Sequence, residues 1–190
     1  MTRYLLLPLI ATLALLTGCG NLLATMQVDT IEDEPVERTL AQQIEDESIE
    51  TKALVNLHAA DEAFDQAHLV VVSFNGYVLL AGQVQSEALK TRATEVVRKI
   101  HGVRRIYNEL EVASPSSGMT RTSDTWITTK VKSWLLGSSD TEGLRVKVVT
   151  ENGVVYLMGL VTAAEAQRIA DKASGISGVQ RVVKLFEVVG

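Results

Sequence analysis

Apolar residues along this chain change their spacing as the chain proceeds. Tyr4 to Leu16 is a nearly unbroken apolar run preceded by one basic residue, Arg3. It is shorter than the roughly 20 residues a membrane-spanning helix needs, so residues 1–18 read as a secretory signal. Residues 19–45 show no sustained period and carry Pro35 among acidic side chains, the pattern of a solvated tether. Beyond residue 45 the periods become those of packed structure.

Two stretches repeat one another. "FNGYVLLAGQV" at 74–84 matches "ENGVVYLMGLV" at 151–161, with Asn75-Gly76 over Asn152-Gly153 and Gly82 over Gly159. Asn-Gly between β-branched runs signals a two-residue hairpin, because both residues tolerate positive φ. Ahead of each hairpin lie apolar residues at helical spacing, Ile49, Ala53 and Leu57 in one repeat and Ile127, Val131 and Leu135 in the other. Behind each comes a second helical pattern, expected to stop at Gly102 and Gly178, and then a last strand. In the second hairpin Leu144, Val146 and Val148 alternate with Arg145 and Lys147, which predicts one buried and one wet face.

The fold class is therefore α+β: two tandem units, each helix-strand-strand-helix-strand, with a small mixed three-stranded sheet covered by two helices. The expected boundaries are 46–113 and 123–190, with 114–122 as connector. Units of around 70 residues without disulfides are marginal alone, so the two should pack together.

Cysteine and charge narrow the setting. Cys19 is the only cysteine, which leaves no internal disulfide. The run Leu16-Thr17-Gly18-Cys19 resembles the lipobox of bacterial lipoproteins. That resemblance implies cleavage before Cys19, with diacylglycerol and an acyl chain such as palmitate added to it; no other cofactor is implied. Gly20, in place of the aspartate that retains enteric-type lipoproteins in the inner membrane, favours the outer membrane, with the body facing the periplasm.

The Asn-Gly turn, the glycine six residues on, and Gly-Val before the last strand resemble the BON domain, a small module of bacterial envelope proteins. The resemblance covers residues 46–190, and "TSDTWITTKV" at 122–131 is close to a stretch of dual-domain outer-membrane lipoproteins of that family. It implies phospholipid binding and a role in envelope integrity.

The chain carries a net charge of −5. Residues 45–118 hold seven Lys/Arg against eleven Asp/Glu, and residues 119–190 nine against seven. Only the second unit suits an anionic surface. An acidic, exported chain is a poor nucleic-acid binder. His58, His68 and His101 lack metal-ligand spacing, and no nucleophile or phosphate-loop motif occurs, so neither a metal site nor a catalytic site is assigned.

Trp126 is misplaced for a core residue, about 140° around its helix from the apolar stripe. Beside it lie Lys130, Thr129, Ser133 and Gly137. Ser123 or Asp124 is read as the N-cap, which would put Trp126 in the first turn, where free amides favour phosphate. Trp also suits the head-group level of a bilayer. Trp126, Lys130, Thr129, Ser133 and Gly137 are thus candidate contacts for anionic phospholipid, such as phosphatidylglycerol or cardiolipin. Trp134, about 60° from the apolar centre, is either a core-edge residue or a further contact. The competing readings cover Trp126 with the first unit, with the tether, or with another envelope protein, such as the machinery that assembles outer-membrane barrels. Lys132 and the pair Arg104-Arg105 are read as solvated charge.

Overall fold

A computed structural model describes residues 39–137 and 145–189. The signal, Cys19 and most of the tether lie outside these residues, as does Leu144. The first unit comprises α1 (Leu40–Ala60), a 3-10 turn (Glu62–Gln66), β1 (His68–Phe74), β2 (Tyr77–Val84), α2 (Glu87–Val97), β3 (Arg105–Asn108) and β4 (Glu111–Val112). The second comprises α3 (Gly118–Gly137), β5 (Val146–Glu151), β6 (Val154–Val161), α4 (Ala163–Ser174) and β7 (Arg181–Val188). In each, an antiparallel hairpin is joined by a strand parallel to its second member, so the sheet is mixed. β3 and β4 are two segments of one strand path along β2.

Both leading helices start earlier than their apolar stripes indicated. Thr39 caps α1 in a capping box with Gln42, so residues 40–45, read as tether, are helical. Ser117 accepts from Thr120 N through Oγ at 3.1 Å and from Arg121 N through its carbonyl, which starts α3 inside the expected connector. Hydroxyl and amide residues ahead of the stripes, not the stripes themselves, set these ends. α2 and α4 end at Val97 and Ser174 and continue as single turns bonded three residues back, so Gly102 and Gly178 (φ 89° and 101°) close those turns instead of the helices.

The Asn75-Gly76 and Asn152-Gly153 turns have φ of 51°, 73°, 48° and 72°, the left-handed pair such a hairpin requires. Each turn is held from below by a buried carboxylate. Asp46 on α1, 2% exposed, accepts from Asn75 N at 2.8 Å, Gly76 N at 2.9 Å and Ser73 Oγ at 2.6 Å. Asp124 on α3, 4% exposed, accepts from Asn152 N at 3.0 Å and Gly153 N at 2.8 Å. Asp124 is therefore not an N-cap; it is an interior helical residue whose charge is answered by turn amides.

One core lies between the first sheet and α1 and α2, and another between the second sheet and α3 and α4. A third joins the two sheets through their remaining faces: Val72, Phe74, Leu79 and Ala81 against Val154, Tyr156, Met158 and Leu185. The result is four layers, helices outside and sheets inside, as the marginal size of each unit required. Burial pushes the Tyr156 phenol up to about 12.

The face of β5 expected to be wet faces the first unit instead. Lys147 Nζ donates to Glu50 Oε1 at 2.6 Å, and Val149 packs on the third core. The Arg104-Arg105 pair is also more than solvated charge. Arg104 forms a two-pronged pair with Glu187 across the units (3.1 and 3.0 Å), which holds its guanidinium pKa above the ordinary value, and Arg105 lies over the Tyr77 and Tyr107 rings.

Removing either turn carboxylate strands two buried amides. Asp46→Ala and Asp124→Ala should each lower stability by about 2–3 kcal/mol, while Glu47→Ala on the exposed face should stay within about 0.5 kcal/mol. Urea unfolding followed by circular dichroism reads this, and a wild-type midpoint for Asp124→Ala would refute the role given to it.

Candidate functional site

The buried stripe of α3 consists of Asp124, Ile127, Val131 and Leu135. Asp124 lies two residues before Trp126, about 160° around the helix, so anchoring it under the turn aims Trp126 outward. The ring is 64% exposed, and neither the first unit nor any other described element covers it.

Because α3 begins at Gly118, Trp126 sits in its third turn. The first-turn amides expected to meet a phosphate are therefore about 8–12 Å along the axis from Trp126, not beside it. Thr129, Ser133 and Gly137 are exposed on the same side as Trp126. Lys130 is half-buried: its Nζ stands 5.8 Å from the Trp126 ring centroid and donates to the Ser177 carbonyl at 2.7 Å. The cation is fixed beside the ring. Trp134 is half-buried and packs on the second core, away from this face.

Sequence reasoning missed two members of the face. Met119 is 84% exposed in line with Trp126, and Leu136, 63% exposed, stands at its edge about 80° around the helix. Met119 lies seven residues before Trp126, on the same side, but was outside the helix as read from the apolar stripe. The hydroxyls between them are turned inward: Thr122, Thr125 and Thr129 donate to the carbonyls of Gly118, Arg121 and Thr125 at 2.9, 2.9 and 2.8 Å. Such back-bonding satisfies the hydroxyl locally.

The helix's exposed charge is of one sign. Its sole acidic residue is the buried Asp124; Lys130 stands about 40° from Trp126, while Arg121 and Lys132 lie about 140° and 120° around, on the flank toward β5. A cleft of about 510 Å³ runs along one flank, lined by Arg121, Thr128, Lys132, His68 and Glu151 among others. An exposed indole with a cation beside it, on a helix whose other exposed charges are basic, can lie on a surface that is greasy inside and negative outside. No described helix is long and apolar enough to cross a membrane, and no group of three or more His, Cys, Asp or Glu among the described residues is placed to hold a metal.

Comparison with known proteins adds a lineage to this geometry. The BON domain family model matches residues 45–114 and again 123–190. The chain is 39% identical over 150 residues to outer membrane lipoprotein DolP of Haemophilus influenzae, covering 79% of this chain and 78% of that protein. It is 35% identical over 152 residues to the 21 kDa hemolysin of Actinobacillus pleuropneumoniae, covering 80% and 78%. Osmotically-inducible protein Y of Escherichia coli is 32% identical over 108 residues, covering 55% and 54%.

The two tryptophans should separate in their effect on folding. Trp126→Ala is expected to change stability by less than about 0.5 kcal/mol, and Trp134→Ala to cost about 2 kcal/mol or more. Equal losses in urea titrations would show that the Trp126 ring is covered.

Proposed function

The chain belongs to the BON-domain family, with two copies in tandem in the manner of the DolP lipoproteins, and on that footing we propose that it is an outer-membrane lipoprotein whose second unit binds anionic phospholipid. Cys19, acylated, would anchor it; multiple acyl chains make such anchoring stable. The 39% identity to a protein named as an outer membrane lipoprotein supports the location, and the signal-like run ahead of Cys19 is consistent with a body facing the periplasm. Support for envelope integrity is the role this placement suggests.

One observation carries the lipid reading: a 64% exposed tryptophan on a helix whose exposed charges are all basic. An indole suits the interface because its ring is apolar and its N–H polar. Each basic residue near an anionic surface adds about 1 kcal/mol. Phosphatidylglycerol or cardiolipin would supply that charge, with Trp126, Thr129, Lys130, Ser133 and Gly137 at the contact. Trp134, packed on the core, is not among them.

The processed chain, residues 19–190 with Cys19→Ser, should sediment with vesicles containing phosphatidylglycerol and not with phosphatidylcholine alone. Trp126→Glu should abolish that binding while the circular dichroism spectrum is unchanged. If the wild type ignores both vesicles, or Trp126→Glu binds as well as wild type, the ridge belongs to a protein interface, with the barrel assembly machinery as the first partner to try.

A further inference from the structure

The first unit has an outer ridge of its own, on the opposite side of the molecule. α1 and α3 cover opposite outer faces of the two-sheet sandwich. On α1, Leu40, Ile44 and Val55 are 71%, 64% and 61% exposed. Ile44, Ser48, Thr51 and Val55 recur at spacings of four, three and four, the spacing of a seam that receives another helix. The seam runs about 16 Å along the axis. Its chemistry differs from that of α3, since there is no aromatic residue and the surroundings are acidic. Glu45 and Glu47 are exposed on α1 against one exposed lysine, Lys52, and Asp61, Glu62 and Asp65, the last paired with His58, are exposed just past its end. The neighbouring α2 and the turn after it add exposed Arg92, Arg98 and Lys99 against Glu87 and Glu95, so the outer layer is acidic in balance and not throughout.

We infer that this seam docks an amphipathic helix of another protein, with aliphatic residues at its contact positions and lysine or arginine on its flanks. The inference rests on the lipid reading in one respect. When Trp126 faces the bilayer, Ile44 and Val55 face away from it, so the same bilayer does not cover them. The acidic balance of this layer also makes it the poorer face for anionic lipid. The corresponding stripe of a second copy would bring like charges together, and the stretch of this chain next to α1, residues 29–38, holds five acidic residues against one basic. A basic amphipathic helix satisfies both the apolar seam and the charge around it.

The probe is a 21-residue leucine/lysine heptad peptide, titrated by calorimetry into residues 19–190 carrying Cys19→Ser, beside a leucine/glutamate peptide of the same pattern. The lysine peptide should bind one to one with a Kd on the order of 10 µM. Ile44→Ser/Val55→Ser should weaken it at least about tenfold, since these side chains supply most of the seam's apolar area. Trp126→Glu should leave it unchanged, and the glutamate peptide should not bind. No binding to the unsubstituted chain, equal binding to the double variant, loss with Trp126→Glu, or equal binding of the two peptides each overturns the inference. So does a concentration-dependent dimer in sedimentation velocity that Ile44→Ser/Val55→Ser abolishes, because the occupant would then be a second copy. Both substituted positions are exposed, and circular dichroism confirms that the variants fold. The assay contains no lipid, so its failure and the failure of vesicle binding are separate results.

Discussion

In both units a helical aspartate sits inside the core and accepts hydrogen bonds from the two amides of an Asn-Gly turn. A two-residue turn with both φ positive points its amides toward the helix beneath, and leaving them there unpaired would cost a large part of the unit's stability. Asp46 and Asp124 meet that demand at 2.8–3.0 Å. Their position also fixes the rotation of the helix. Apolar side chains slide against one another at modest cost, whereas a carboxylate aimed at two amides tolerates little rotation. What lies on the far side of each helix, half-buried Ser48 in one unit and exposed Trp126 in the other, is turned away from the core as a consequence.

The inter-unit contact is built from a second constraint. The two sheets repeat one another, so their apposed faces are related by an approximate twofold: Asn75 Nδ2 donates to Glu187 Oε2 at 2.7 Å, and Asn152 Nδ2 to Glu111 Oε2 at 3.3 Å. The symmetry breaks where the first repeat has Phe74 and the second Glu151. Phe74 packs in the apolar core between the sheets, whereas Glu151, 6% exposed, accepts from Gln83 Nε2 at 2.9 Å and lies 3.2 Å from His68 Nε2. Ser116 N, in the connector, donates to Gln83 Oε1 at 2.7 Å. An apolar contact accepts several registers, but a buried carboxylate accepts only the one that brings its partners to it. The polar corner therefore ties the connector, and with it the start of α3, to the interface.

Much of this was legible in the residues. The repeat, the hairpins with their Asn-Gly turns, the mixed sheets and the apolar stripes all follow from period and turn chemistry, which are local. Helix ends were less so, because caps at Thr39 and Ser117 lie ahead of the apolar period and belong to stretches whose composition suggests loop. Asp124 was misread as a cap for a similar reason: a charged residue beside a helical stripe is usually at an end, and only the turn 28 residues later explains it inside. A signal was present, since Asp46 and Asp124 both stand three residues before the first isoleucine of the stripe. Arg104 and Lys147 were taken for solvated charge because their partners, Glu187 and Glu50, lie in the other repeat. At the site, Trp126 was found by its angle, and Met119 was lost with the first turns of its helix.

Duplication gave the molecule two helices in equivalent settings, and divergence shows on the faces the core does not constrain. Ile49 and Ile127, Leu57 and Leu135, Asp46 and Asp124 occupy matching places in the two units and are all buried. On the outer side the matches fail: Ala41 stands where the second unit has Met119, Ile44 where it has Thr122, Ser48 where it has Trp126, and Val55 where it has Ser133. Burial holds the first set alike, since each of those side chains fills a space the fold has already shaped. No such requirement acts on the second set, so its composition reflects what each face meets. One face carries an indole with cations and no exposed carboxylate; the other carries aliphatic side chains among carboxylates. A single fold that presents two such faces on opposite sides is suited to hold one kind of surface while a different kind of partner is bound on the other.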